Sequence, residues 1–329
     1  TDYSSPLERT RIMQAKWWLI ILVLIYGGSV SAADLELRIA MVLWRGETEA
    51  ETGFKEGLQE LGYQTTFEIH DAAQDLAKLG AILRSINGKL PAYDYIYTFG
   101  TTVSRRASVV IGTKLPQIFN IVTDPVAAGI VASLDSPGPT VGGGSDKIGI
   151  SQQLDQAQRL ISFKKLGLFF NPREKNSLII RDEVHGYARE RGFEVIDFRS
   201  PPVDQILLQN LKILGDNPAL VDAVYLAPDS YLSSEAALIG AHLRKAKIAS
   251  ITQIRSLIEQ GVLMGVAGDY YELGRSVATI VDRHQNGIAF EQIPVVHFHS
   301  LKLLINRDTA ELLSIQLDRS LSADAELVD

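Results

Sequence analysis

Short hydroxyl and amide side chains, isolated carboxylates and aromatic rings recur in this chain where runs with strand character give way to runs with helical spacing. Thr101-Thr102, Asn176-Ser177 and Asp229-Ser230 fall at helix starts, whose free N–H groups suit a carboxylate. Asp124, Asp146, Asp229 and Asp269 could each hold an ammonium group. Trp44, Phe99, Phe170, Tyr231 and Tyr270 could sandwich a ring or an alkyl chain. Together these types suit a small zwitterion such as an amino acid. The candidate ligand-binding residues are Trp44, Thr101, Thr102, Asp124, Ser145, Asp146, Asn171, Asn176, Asp229, Asp269 and Tyr270. Each polar candidate has a plainer use, because Ser, Thr, Asp and Asn at helix starts ordinarily serve as caps. Trp44, at the exit of a strand beside Arg45-Gly46, is the strongest single candidate, with packing on the domain surface as its alternative.

Reactive chemistry is poorly supported. No Gly-x-Ser-x-Gly elbow, His-Glu-x-x-His pair or triad pattern is present, and Gly142-Gly143-Gly144-Ser145 lacks the lysine of a phosphate loop. His297-Phe298-His299 puts two imidazoles on one side of a strand without a third ligand at metal spacing. The absence of cysteine excludes a disulfide scaffold, a cysteine nucleophile, a thiolate metal site and a lipid-anchored N-terminus. The expectation is a binding protein, not an enzyme, with no cofactor and no metal. A net charge of −7 argues against a nucleic-acid partner, and 46% hydrophobic residues are ample for a core.

The N-terminal residues bear on location. Arg9, Arg11 and Lys16 precede an apolar run from Trp17 to Tyr26, and Val30-Ser31-Ala32 fits a secretory cleavage site. A run of about ten apolar residues is shorter than the ~20 that span a bilayer, so a cleaved leader is expected over a membrane anchor. The mature chain is expected in the periplasm as a monomer.

The elements that position the candidates come as a repeat. Arg38 to Trp44 is a continuous apolar run, as in a parallel strand buried on both faces. A helical stripe (Phe54, Leu58, Leu61), a strand from Tyr63 to Ile69, a helix from Asp75 to Ile86, and strands at Asp94–Phe99 and Gln117–Val122 follow. The order recurs from Lys165 to Asn171 onward, at offsets between 127 and 131 residues. The fold class is α/β: two doubly wound parallel-sheet lobes joined by a three-strand hinge. Lobe 1 is read as 34–143 plus 269–292 and lobe 2 as 146–267 plus 293–316. A leader covers 1–32 and a C-terminal tail 317–329. The Gly- and Pro-rich stretch from Ser136 to Gly144 is the first crossing. Ligands of open parallel sheets bind beyond the carboxyl ends of the strands, so facing lobes would close their strand-end loops over one cleft.

Val122-Thr123-Asp124-Pro125-Val126-Ala127-Ala128-Gly129, followed by Ser133-Leu134 and Pro137-Gly138, resembles a signature of ABC-transporter substrate-binding proteins of the periplasmic-binding-protein-like class. Gln153-Leu154, Phe170-Asn171-Pro172 and Asp269-Tyr270-Tyr271-Glu272-Leu273-Gly274-Arg275 extend the resemblance over Leu37 to Ile315. Characterised members include tryptophan- and tyrosine-type binders. The resemblance implies a type I periplasmic-binding fold that closes on its ligand and docks to a membrane permease, with Thr101, Thr102, Asp124, Asn176 and Asp229 facing the cleft. A sensing subunit that presents the closed form to a signalling receptor is the alternative. The chain departs from many relatives in carrying Trp44-Arg45-Gly46-Glu47-Thr48 in place of a His-Pro-like element, and in Val103-Ser104-Arg105-Arg106 and Gly143-Gly144-Ser145-Asp146.

Overall fold

The first strand, β1 (Glu36–Leu43), exposes only Glu36 and Arg38 and buries the other six residues. A strand apolar on both faces has to lie inside a sheet, and β1 does. The computed structural model describes residues 36–317 and 325–329, within which Leu37 to Asp329 form one unit. The expected leader and cleavage site lie outside the described residues.

The first lobe continues with α1 (Glu49–Glu60), β2 (Gln64–Asp71), α2 (Leu76–Asn87), β3 (Tyr95–Phe99), α3 (Gly100–Val110), β4 (Gln117–Asn120) and β5 (Val141–Ser145). The second contains α4 (Ile150–Gln158), β6 (Lys165–Phe170), α5 (Lys175–Arg191), β7 (Glu194–Arg199), α6 (Asp204–Asp216), β8 (Ala223–Leu226), α7 (Ser230–Ser234), α8 (Ala236–Ala246), β9 (Ala249–Thr252), α9 (Arg255–Glu259) and β10 (Met264–Gly268). The chain then returns to the first lobe with α10 (Tyr270–Gln285) and β11 (Val296–His297), and ends in the second with β12 (Leu301–Asn306), α11 (Arg307–Leu312) and β13 (Ala325–Val328).

The strand orders are β11-β5-β4-β3-β1-β2 and β13-β12-β10-β9-β8-β6-β7. The ladders run parallel through both centres, and β10–β12 is antiparallel. The two-lobed α/β class read from the repeat is therefore the observed one, with three chain crossings between the sheets.

The crossings differ in place from the expectation. Lobe 2 was expected to resume at residue 293, but Val296 pairs with Gly144 on the first sheet, and Ile293 and Val295 are buried in first-lobe cores. The third crossing therefore follows β11. The Ser136–Gly144 crossing contains most of β5, and the segment expected as a tail adds β13 to the edge of the second sheet.

Local sequence explains the elements that flank the site. Thr48 opens α1 with a capping box: its hydroxyl accepts from Ala50 N–H, and Glu51 accepts from the Thr48 N–H at 2.7 Å. The apolar stripe of α10 (Leu273, Val277, Ile280, Val281) is buried in the first core. At Gly53 an added Cβ would lie 2.0 Å from the Tyr271 carbonyl oxygen, so only glycine lets α1 and α10 approach this closely.

Candidate functional site

Strand-end loops of both lobes meet around a small cavity of about 40 Å³. The first lobe supplies Trp44 and Arg45 after β1, Phe99 to Thr102 where β3 turns into α3, and Ile121 and Thr123 after β4. The second supplies Glu174 and Asn176 where β6 gives way to α5, Pro228 to Ser230 and Ser233 around α7, and Ile254. The crossings contribute Asp146 and Tyr270. A larger groove of about 550 Å³ adjoins, sharing Arg45, Ile254 and Tyr270 with the cavity.

Seven of the eleven sequence candidates line the cavity: Trp44, Thr101, Thr102, Asp146, Asn176, Asp229 and Tyr270. The other four are engaged elsewhere. Asp124 accepts from Lys147 Nζ at 2.6 Å, and Lys147 also reaches Glu183 at 2.6 Å. The Ser145 hydroxyl donates to the Thr123 carbonyl. Asn171 turns its side-chain oxygen to the Arg173 N–H, and Asp269 caps α10 through the Glu272 N–H while lining the groove. Cap and turn chemistry thus absorbs three of these four, and a lysine absorbs the fourth.

Glu174 is the main addition. It directly precedes α5 but leaves its own helix uncapped. Instead its Oε1 accepts from Trp44 Nε1–H at 3.2 Å, and its Oε2 accepts at 3.4 Å from both Asn176 Nδ2 and the Ser230 N–H. Arg45 is the second addition, its guanidinium 5.9 Å above the Phe99 ring centroid. Glu174 does sit at a helix start, but glutamate is not among the short capping side chains by which such positions are picked out, and Arg45 lies in a loop away from any helix start.

The electrostatics follow from burial. Asp146, Glu174 and Asp229 are 2%, 5% and 3% exposed. Loss of solvent raises the pKa of Glu174 against the hydrogen bonds from Trp44, Ser230 and Asn176. It raises Asp229 well above the carboxylate range, and the nearby charge of Glu174 adds to the rise. Asp146 is pushed up to about 6 by desolvation, opposed by hydrogen bonds from Thr123 and Tyr270.

Several buried polar atoms here have no hydrogen-bond partner among the described residues. Arg45 Nε, Thr101 Oγ1, Asp146 Oδ1 and Asp229 Oδ2 all belong to residues on the cavity wall. Leaving such a group unsatisfied costs about 1–3 kcal/mol, so four of them among the residues of one cavity wall call for an explanation.

The family model described as ABC transporter substrate binding protein matches residues 39–328. A tyrosine-binding protein from Clostridioides difficile (strain R20291) is 29% identical over 279 residues, covering 84% of this chain and 79% of the relative. Among solved structures, an ABC domain from Streptococcus pneumoniae in complex with L-Trp superposes with a TM-score of 0.79 at 23% identity, covering 88% of this chain and all of that one. A conserved domain protein from Vibrio cholerae reaches a TM-score of 0.81 at 22% identity, covering 89% and 99%.

Proposed function

The chain belongs to the ABC transporter substrate-binding protein family, and from that premise we propose that it captures a small amino acid or related zwitterion between its lobes and delivers it to a membrane importer. The observation that carries this reading is that four residues on the wall of one interlobe cavity, Arg45, Thr101, Asp146 and Asp229, each hold a buried polar atom without a partner among the described residues. Arg45 and the N-terminal turn of α3 offer donors for a carboxylate, and the acidic wall offers acceptors for an ammonium group. Trp44, Phe99 and Tyr270 add apolar faces for a side chain, in keeping with relatives that are named for tyrosine or hold L-Trp.

In this reading capture proceeds by closure of the lobes. The solute meets one lobe first, and the second closes to complete its partners. Its greater affinity for the closed arrangement supplies the free energy of closure. The permease reads the closed pair of lobes and the solute is released unchanged. In this reading the protein works in the periplasm as a monomer, with no nucleic-acid partner and no catalytic step.

Thermal-shift screening of the purified protein with a broad set of amino acids and small amines tests the proposal. At least one zwitterion should raise the melting temperature in a concentration-dependent way. A flat response across the set would overturn it.

A further inference from the structure

The cavity wall carries more carboxyl groups than the single ammonium of a neutral amino acid can engage. Asp146, Glu174 and Asp229 line the cavity, and among the described residues Arg45 is the one basic side chain on its wall. Among the described residues none of these four forms an ion pair with another side chain. Glu174 is provided for by the neutral N–H donors of Trp44, Asn176 and Ser230. The other two carboxylates are only half engaged. Asp146 Oδ2 accepts from the Tyr270 hydroxyl at 3.3 Å and Asp229 Oδ1 from the Leu232 N–H at 2.8 Å. Among the described residues Asp146 Oδ1 and Asp229 Oδ2 are buried without a hydrogen bond of good geometry, the nearest donors being the Thr123 hydroxyl beside Asp146 and the Asn171 amide beside Asp229. A buried carboxylate oxygen without a donor is costly, and one ammonium group offered to two separate carboxylates leaves one of them wanting.

We propose that the captured solute is a small diamino acid, with one ammonium group at Asp229, the other at Asp146, and its carboxylate at Arg45 and the N-terminal turn of α3. The inference rests on the capture reading and names its substrate class. Two open carboxylate oxygens and one open guanidinium nitrogen match two cations and one anion. Trp44 and Tyr270 suit an alkyl-ammonium stem, because an aromatic face attracts a cation as well as packing against methylenes.

Calorimetric titration of the purified protein with L-lysine, L-ornithine, L-norleucine, 1,4-diaminobutane, L-tyrosine and L-tryptophan tests this. L-Norleucine is lysine without the terminal amine, and 1,4-diaminobutane is ornithine without the carboxylate. Lysine or ornithine should bind at least tenfold more tightly than each of the other four. In Asp146→Asn the preference over norleucine should shrink to less than threefold. Norleucine, tyrosine or tryptophan binding as tightly as the diamino acids would overturn the second ammonium and leave the capture reading standing. Equal binding of 1,4-diaminobutane would overturn the carboxylate assignment. An unchanged preference in Asp146→Asn would remove that residue from the role given to it. Silence from all six would count against this inference, and against capture itself only if the broader screen is also flat.

Discussion

Trp44 and Glu174, 130 residues apart and on different lobes, meet through a buried 3.2 Å hydrogen bond from the indole N–H to a carboxylate oxygen. The residue chosen from sequence as an aromatic wall is therefore also a donor, and its partner is an acid that no local pattern singled out. The bond joins the two walls of the cavity directly, so closure and the state of the acidic wall are coupled.

Trp44→Phe removes the N–H and keeps most of the ring. Glu174 loses one of its three donors, which should destabilise the ligand-free protein by about 1–2 kcal/mol. Differential scanning calorimetry should show a melting temperature lower by several degrees, and Glu174→Gln combined with Trp44→Phe should cost less than the two single changes added. Strict additivity would show that the contact contributes nothing.

Asp146 sets a pH dependence of opposite sign to an ordinary ion-paired carboxylate. Its pKa is raised from 3.8 to about 6, so the folded protein binds a proton the unfolded chain has released. Stability of the ligand-free protein should fall as pH rises from about 4 to 6, by on the order of 2–3 kcal/mol from this group. Asp146→Asn should flatten that segment of the stability profile and raise stability at pH 7. A profile unchanged by the substitution would contradict the buried, unpaired carboxylate.

Lys147 ties Asp124 of the first lobe to Glu183 of the second. Burial works against its charge, but the two carboxylates outweigh that and raise its pKa. Asp124 is lowered because the Lys147 and Ala127 hydrogen bonds outweigh its desolvation. The lysine's share of stability is thus present below pH ~10 and fades as pH rises through its raised pKa, while the Asp124 share is present above pH ~4 and fades in acid. Lys147→Met should cost about 1 kcal/mol or less at low salt, since the lysine is a third exposed, and the difference should shrink at high ionic strength. Equal loss at both salt levels would argue for packing in place of charge.

Glu326 fastens β13 through Arg255 at 2.8 Å and Lys302 at 3.0 Å. The Arg255 hydrogen bond, then that of Lys302, lowers its pKa from 4.5 to about 2. The stabilisation is complete above pH ~4.5 and is lost as pH falls toward 2. Solvent screening holds it to about 1 kcal/mol. Glu326→Gln should accelerate hydrogen exchange of the last strand at pH 7 but leave it unchanged near pH 2. Exchange rates insensitive to the substitution would show that the edge strand is held by its ladder alone.

The fold was legible where the pattern repeats: β1, β3, β6 and β8 are short apolar runs, and α10 carries a 3.6-residue stripe. It was least legible where glycine erases the pattern. Gly142 to Gly144 reads as a crossing but forms β5, because a Cβ on Gly143 would fall 2.0 Å from the Phe119 carbonyl oxygen and the strand tolerates no side chain there. At the site, residues at helix starts could be found from local chemistry. Glu174 could not, because its role depends on Trp44 from the other lobe. Asp124 looked available because the lysine that occupies it lies 23 residues on, where no short-range rule connects them.

The most direct test is a calorimetric titration of wild type and Asp229→Asn with amino-acid ligands. Asparagine preserves the cap on α7 while removing the carboxyl group assigned to the ammonium. The account predicts saturable one-to-one binding of at least one amino solute to the wild type, weakened at least tenfold by the substitution. No binding by the wild type, or equal affinity in the variant, would contradict capture at this cavity.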